Sequence, residues 1–176
     1  DTVTTDADGY AKSKEVYLGK YEVKEIKAPF GMVLNGEAHT VELTYAGQNV
    51  AVTETATSFV NERQKVEITL SKTLETNDLF GIGNNGEIKN ITFGIYAADE
   101  LVSTSGTSIP KDGLIEIITL DENGNGKVKT DLPIGSYFVK EIQTDAHYIL
   151  SGKSYPVVFE YAGQDTTVVN LSVNDG

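Results

Sequence analysis

The chain has no cysteine and no tryptophan, one methionine, four prolines and two histidines among its 176 residues. Without cysteine there is no disulfide and no thiolate metal site. The two histidines, His39 and His147, lie far apart and give neither a metal-ligand spacing nor a catalytic triad. Basic residues are scarce: 14 Lys and Arg against 26 Asp and Glu leave a formal net charge of -12. That balance speaks against nucleic acid or an anionic membrane surface as a partner. No window approaches the length of a membrane span, and the opening "DTVTTDADGY" is not a signal peptide. No glycine loop that would cradle a phosphate is found, and no cofactor is called for. "DENGNG" (Asp121–Gly126) begins like a calcium loop, but the twelfth position is Leu132, so a turn is expected.

What is present favours strands. Gly (17), Tyr (9) and abundant Val and Thr suit short strands joined by turns, and 39% apolar content suffices for a packed core. Blocks of the sequence also recur. "GKYEVKEI" at Gly19–Ile26 returns as "GSYFVKEI" at Gly135–Ile142, and "YAGQ" at Tyr45–Gln48 returns at Tyr161–Gln164, both 116 residues on. "TDADGYAK" at Thr5 resembles "LDENGNGKVK" at Leu120, and "FVNE" at Phe59–Glu62 resembles "SVND" at Ser172–Asp175, 113 residues on. Four blocks in one order imply two tandem units, residues 1–62 and 63–176. The second reads as a complete β-sandwich; the first holds only the later blocks, so its early strands are expected to precede this piece. Glu62–Gln64 lacks Gly and Pro, which predicts a short, stiff junction.

Strand alternation singles out three residues. In "SYFVKE", Tyr137, Val139 and Glu141 share one face; in "KYEVKE", so do Tyr21, Val23 and Glu25. The apolar members define the core side, so Glu25 and Glu141 point inward. In "VEITLSK", Val66, Ile68 and Leu70 are followed on the same face by Lys72. A buried charge is costly unless paired or neutralised. An ion pair, or a lysine snorkelling at a strand end, would satisfy this pattern.

"VEITLSK", "LPIGSYFVKEI" and the terminal "SVND" resemble, in order and spacing, the B-type domain of the collagen adhesin Cna. These SpaA-like, prealbumin-like domains belong to Gram-positive surface adhesins and pilins. "TTDADGYA" and "YEVKEIKAP" carry the resemblance into the first unit. It implies an all-β fold of two tandem Ig-like, prealbumin-like sandwiches. It also implies a self-formed isopeptide bond, in which a first-strand lysine joins a last-strand asparagine, or sometimes aspartate, helped by a buried acid. By position these would be Lys72, Asn174 and Glu141, with Glu25 and Asn61 as counterparts in the first unit, whose lysine is absent. Burial in an apolar site disfavours both charged forms, so amine and acid can coexist neutral and the amine becomes nucleophilic. One register conflict stands. Val169, Leu171 and Val173 share a face that excludes Asn174, so Asn174 requires a bulge, and Asn170 is the fallback.

The resemblance implies a stalk domain of a cell-wall-anchored surface protein, outside the cell despite the lack of cysteine, crosslinking once rather than turning over as an enzyme. Its partners would be neighbouring domains of the same protein and, through other domains, a host matrix protein. The alternative is a binding module that recognises a host protein or glycan through "FGIGNNGEIKN" (Phe80–Asn90) or "STSGTSIPKDG" (Ser103–Gly113).

Overall fold

Alternating apolar and polar residues account for most of the strands. The computed structural model describes residues 1–102 and 105–175. Ser103 and Thr104, at the start of one loop proposed for binding, and Gly176 lie outside them. The strands are β1 (Gly19–Lys24), β2 (Ala38–Leu43), β3 (Lys65–Lys72), β4 (Thr92–Ala97), β5 (Leu101–Val102) and β6 (Ser108–Ile109). They continue with β7 (Leu114–Thr119), β8 (Asn125–Lys127), β9 (Gly135–Gln143), β10 (Ser154–Phe159) and β11 (Val168–Asp175). Among the described residues the only helical turn is a 3-10 turn at Glu87–Asn90, so the all-β expectation is met.

The chain divides into two compact units, Asp1–Ala28 with Leu34–Asn61, and Pro29–Val33 with Glu62–Gly176. A cut at 62/63 therefore leaves out one feature: Pro29–Val33 clusters with the second unit. In the first unit β1 and β2 form an antiparallel pair, Tyr21 opposite Val41 and Val23 opposite His39. Tyr21 and Val23 are only half-buried, as befits a two-stranded ribbon with little to pack against.

The second unit contains a four-stranded sheet, β10-β9-β4-β7, and a three-stranded sheet, β11-β3-β8. Phe93 and Ile95 of β4, Tyr137 and Val139 of β9 and Phe159 of β10 are buried with Ile68 and Leu70 of β3 and Val173 of β11 in one core. Burying each large side chain contributes roughly 1.5–3 kcal/mol. β3 and β11, the first and last strands of this unit, pair in parallel with Val169 opposite Val66, Val173 opposite Leu70 and Asp175 opposite Lys72. The Asp121–Gly126 turn forms as expected: the Asp121 carboxylate accepts from Asn123 N and Asn125 N, each at 2.8 Å. Its Gly124 has φ +78 and sits against the end of β3, accepting from Lys72 N at 2.9 Å. A β-carbon on Gly124 would lie 2.2 Å from the Lys72 carbonyl oxygen, so glycine is required there twice over.

Candidate functional site

Lys72 ends β3 on its inward face because the period of two continues from Ile68 and Leu70. Its side chain is 14% exposed. The last strand extends one residue further than its sequence pattern suggests, and its own alternation, Val169, Leu171, Val173, then brings Asp175 to the core side. Asp175 is 4% exposed, and Lys72 Nζ stands 2.9 Å from its Oδ2. The hydroxyl of Tyr155, on β10, donates a short hydrogen bond to Asp175 Oδ1. Burial pushes the Asp175 carboxyl up, but the hydrogen bonds from Lys72 and Tyr155 and the ammonium charge outweigh it and hold it below its ordinary value. The Tyr155 phenol is pushed up to about 12 by burial and by the Asp175 carboxylate, with the Glu141 charge adding to it. Tyr155 thus stays a proton donor through the neutral range.

Asn174 does not meet Lys72. It is exposed, opposite Ser71, whose hydroxyl donates to Asn174 Oδ1 at 2.6 Å. Asn170 is exposed too, opposite Glu67. No bulge re-aims either one, so the partner that the geometry gives Lys72 is Asp175, a residue the sequence reading passed over.

Glu141, on β9, is 5% exposed and faces the core opposite Phe93, where β4 carries a register shift. Its Oε2 accepts from Ser151 N at 3.0 Å, while its Oε1 is buried with no hydrogen-bond partner among the described residues. An unsatisfied buried acceptor costs about 1–3 kcal/mol and marks either stored strain or chemistry. The first unit repeats this arrangement: Glu25 Oε2 accepts from Asn35 N and from Asn61 Nδ2, each at 2.7 Å. Asn35 and Ser151 are 116 residues apart, like their glutamates. Phe59 and Asn61 are half-buried with Val60 exposed between them, as Val173 and Asp175 are buried around exposed Asn174. The structural counterpart of Asn61 is therefore Asp175, 114 residues on rather than 113.

Asp145 fixes the loop between Glu141 and Ser151. Its carboxylate accepts from Asn90 Nδ2 at 2.7 Å and from His147 N at 3.0 Å, and lies 2.7 Å from His147 Nδ1. Those bonds hold it at about 2 against the opposing effect of burial. Its folded value lies below the ordinary 3.8, so the stability it contributes is full above about pH 4 and lost as pH falls toward 2. Urea midpoints of the second unit are expected to drop through that window, and Asp145→Asn is expected to flatten the drop.

The loops proposed for binding offer less. In Phe80–Asn90 the Glu87 carboxylate is spent on Gly83 N at 3.1 Å and Asn85 N at 2.8 Å. Phe80 stands exposed there, but a single aromatic makes no stacking platform for a sugar. Among the described residues there is no metal-holding cluster of His, Asp or Glu and no helix long and apolar enough to cross a membrane.

Comparison with known proteins agrees with this architecture. The model of the SpaA prealbumin-like fold domain matches residues 1–58 and 80–174. The trypsin-resistant surface T6 protein of Streptococcus pyogenes serotype M6 is 26% identical over 161 residues, 83% of this chain and 29% of that protein. The Bacillus anthracis TIE protein superposes with a TM-score of 0.59 at 24% identity, covering 98% of this chain and 28% of that one. The T6 backbone pilin of Streptococcus pyogenes serotype M6 superposes more loosely, with a TM-score of 0.34 at 22% identity over 53% of this chain and 16% of that one. The chain thus spans under a third of the length of each of these three proteins, the first of which is named as a surface protein. The chain belongs to the SpaA family of prealbumin-like fold domains.

Proposed function

We propose that this chain is a load-bearing segment of a surface stalk, of an adhesin or a pilus-like protein, and that its second unit closes an isopeptide bond between Lys72 and Asp175 with Glu141 as the assisting acid. The observation that carries this is the largely buried contact of Lys72 Nζ with Asp175 Oδ2 at 2.9 Å, made across the first and last strands of the unit. The Lys72 ammonium passes a proton to the Asp175 carboxylate across their 2.9 Å contact, leaving a neutral amine and a neutral acid; the amine attacks Asp175 Cγ, the C–N bond forms, the C–O bond breaks and water leaves. Glu141 takes a proton from the attacking nitrogen and returns it to the departing hydroxyl. The Tyr155 hydroxyl polarises the other carboxyl oxygen. Folding supplies proximity, equivalent to an effective molarity of about 10⁵ M or more.

The topology explains the benefit. Tension enters the unit at the start of β3 and leaves at the end of β11, which would shear the parallel pair. A bond between the far end of β3 and the end of β11 carries the load past everything between Thr73 and Asn174. Anchoring at the cell wall and polymerisation with neighbouring subunits belong to the same reading, supported by the likeness to a streptococcal surface protein. So does the division into tandem domains 1–62 and 63–176, the first lacking early strands, supported by the half-buried face of β1 and the Glu25–Asn61 contact. No particular observation favours a glycan- or host-binding module.

Peptide mapping tests the bond: a branched peptide joining Lys72 to Asp175 is expected, and separate linear peptides would overturn it. Tyr155→Phe is expected to keep the fold and slow bond formation by roughly 10- to 100-fold, read as the time course of mass change after refolding. An unchanged rate would remove the phenol from the reaction.

A further inference from the structure

The turn that follows the glutamate strand occurs twice. Met32 N donates to Pro29 O at 3.1 Å, and Tyr148 N donates to Asp145 O at 3.0 Å. The two turns are 116 residues apart, as are the glutamates before them and the N–H groups of Asn35 and Ser151 that bind those glutamates. Their surroundings differ. Pro29–Val33, which belongs to the second unit, is seated through its backbone. Gln64 N donates to Gly31 O at 2.9 Å, Val33 N donates to Glu62 O at 2.8 Å, and the Tyr161 hydroxyl donates to Met32 O at 3.0 Å. The Phe30 ring meets Tyr161 edge-on with 4.8 Å between centroids.

The Asp145–Ile149 turn has no such seat. Ile149 is 96% exposed, whereas Val33 at the same position of the other turn is half-buried. Among the described residues, His147 O, Tyr148 O and Ile149 N carry no hydrogen bond. The turn is nonetheless held in shape by the Asp145 carboxylate and by the Tyr148 hydroxyl donating to Glu75 O at 2.8 Å, so docking would need little further ordering. Two differences exist: Ala146 stands at the position of Phe30 and cannot make its ring contact, and Gly31 has φ +82 whereas His147 is outside the left-handed region. The second turns the peptide before the third residue, but the seat uses the carbonyls of the third and fourth residues and the amide of the fifth.

The seat is the approach to a first strand, Glu62–Gln64, together with the tyrosine of "YAGQ". Gln64 binds the two parts together, donating to Gly163 O at 3.0 Å and Thr166 O at 2.7 Å and accepting from Ala162 N at 2.8 Å. We infer that the Asp145–Ile149 turn is a docking element for another prealbumin-like unit joined directly after Gly176, seated on that unit's first-strand approach and its "YAGQ" tyrosine. The spacing suits this. Asn61 lies two residues before Arg63, and its counterpart Asp175 lies two before any residue joined to Gly176. Because the seat reads mostly backbone, it tolerates the change from "PFGMV" to "DAHYI" at the loss of one ring contact, that of Phe30 with Tyr161. The inference rests on the repeat and not on the crosslink, so the mass measurements that test the bond leave it untouched.

Two proteins test it by amide hydrogen exchange. In the first, Pro29–Val33 of the full chain is replaced by the sequence of Asp145–Ile149. Exchange at position 33 is expected to stay within about threefold of the parent chain, and a rise beyond about tenfold would show that this turn does not fit the seat. In the second, the full chain is extended at Gly176 by another copy of residues 63–176. Exchange at Ile149 is expected to slow by about tenfold or more, with protection in the appended strands reporting that the copy has folded. A folded copy with an unchanged Ile149 rate overturns the inference.

Discussion

Lys72→Ala is expected to lower the melting temperature of the second unit by roughly 30 °C or more. Two losses combine. Without Lys72 the Asp175 carboxylate is left buried with only the Tyr155 hydroxyl to hold its charge, a burden of about 3–5 kcal/mol. The proposed covalent staple goes as well, and closing a loop of about a hundred residues contributes about 4–5 kcal/mol in the chain-entropy account. Glu141→Ala separates the two. It keeps the Lys72–Asp175 contact and removes the acid, so it is expected to lose the staple and, at a smaller cost of about 1 kcal/mol, the hydrogen bond from Ser151 N. Calorimetry of the two variants beside the parent chain gives the comparison. A fall for Lys72→Ala with only that smaller cost for Glu141→Ala would mean that the contact is only an ion pair.

Gly124→Val is expected to destabilise the second unit by about 3 kcal/mol or more and to slow the crosslink by about a hundredfold. A branched side chain at φ +78 is strained by itself. The added β-carbon would also collide with the Lys72 carbonyl at 2.2 Å, a backbone atom with no rotamer to escape into. The end of β3 must then move, and a displacement of about 1 Å at a reacting group can cost about 10²-fold. Gly124→Asn separates the effects, since asparagine tolerates the backbone conformation but keeps the collision. Chemical denaturation gives the stability, and the mass of refolded protein sampled over time gives the rate. A normal rate in Gly124→Val would mean that the turn does not position Lys72.

Which parts of this were legible in the sequence follows from the physics of a strand. Side chains alternate, so Ile68 and Leu70 predict an inward Lys72, and Tyr137 and Val139 predict an inward Glu141. Both residues are found there. The same rule reaches Asp175 from Leu171 and Val173, but only if the strand is allowed one more residue. A motif match at 113 residues drew attention to Asn174 instead, whereas burial parity sets the counterpart of Asn61 at 114. Tyr155 was not legible, because its role depends on a hydroxyl crossing from β10 to the end of β11. Ser151 acts through a backbone N–H, and the seat of Pro29–Val33 is also made mostly of backbone bonds. Such contacts leave almost no trace in residue type.

The measurement that bears most directly on the account is the intact mass of the purified chain, with Glu141→Ala and Asp175→Asn measured alongside. The account predicts a parent mass short by one water, a full mass in Glu141→Ala, and a deficit of one ammonia when asparagine stands at 175. A parent chain at its full mass, or an ammonia deficit in the parent that would implicate Asn174 or Asn170, would contradict the assignment of the bond to Lys72 and Asp175.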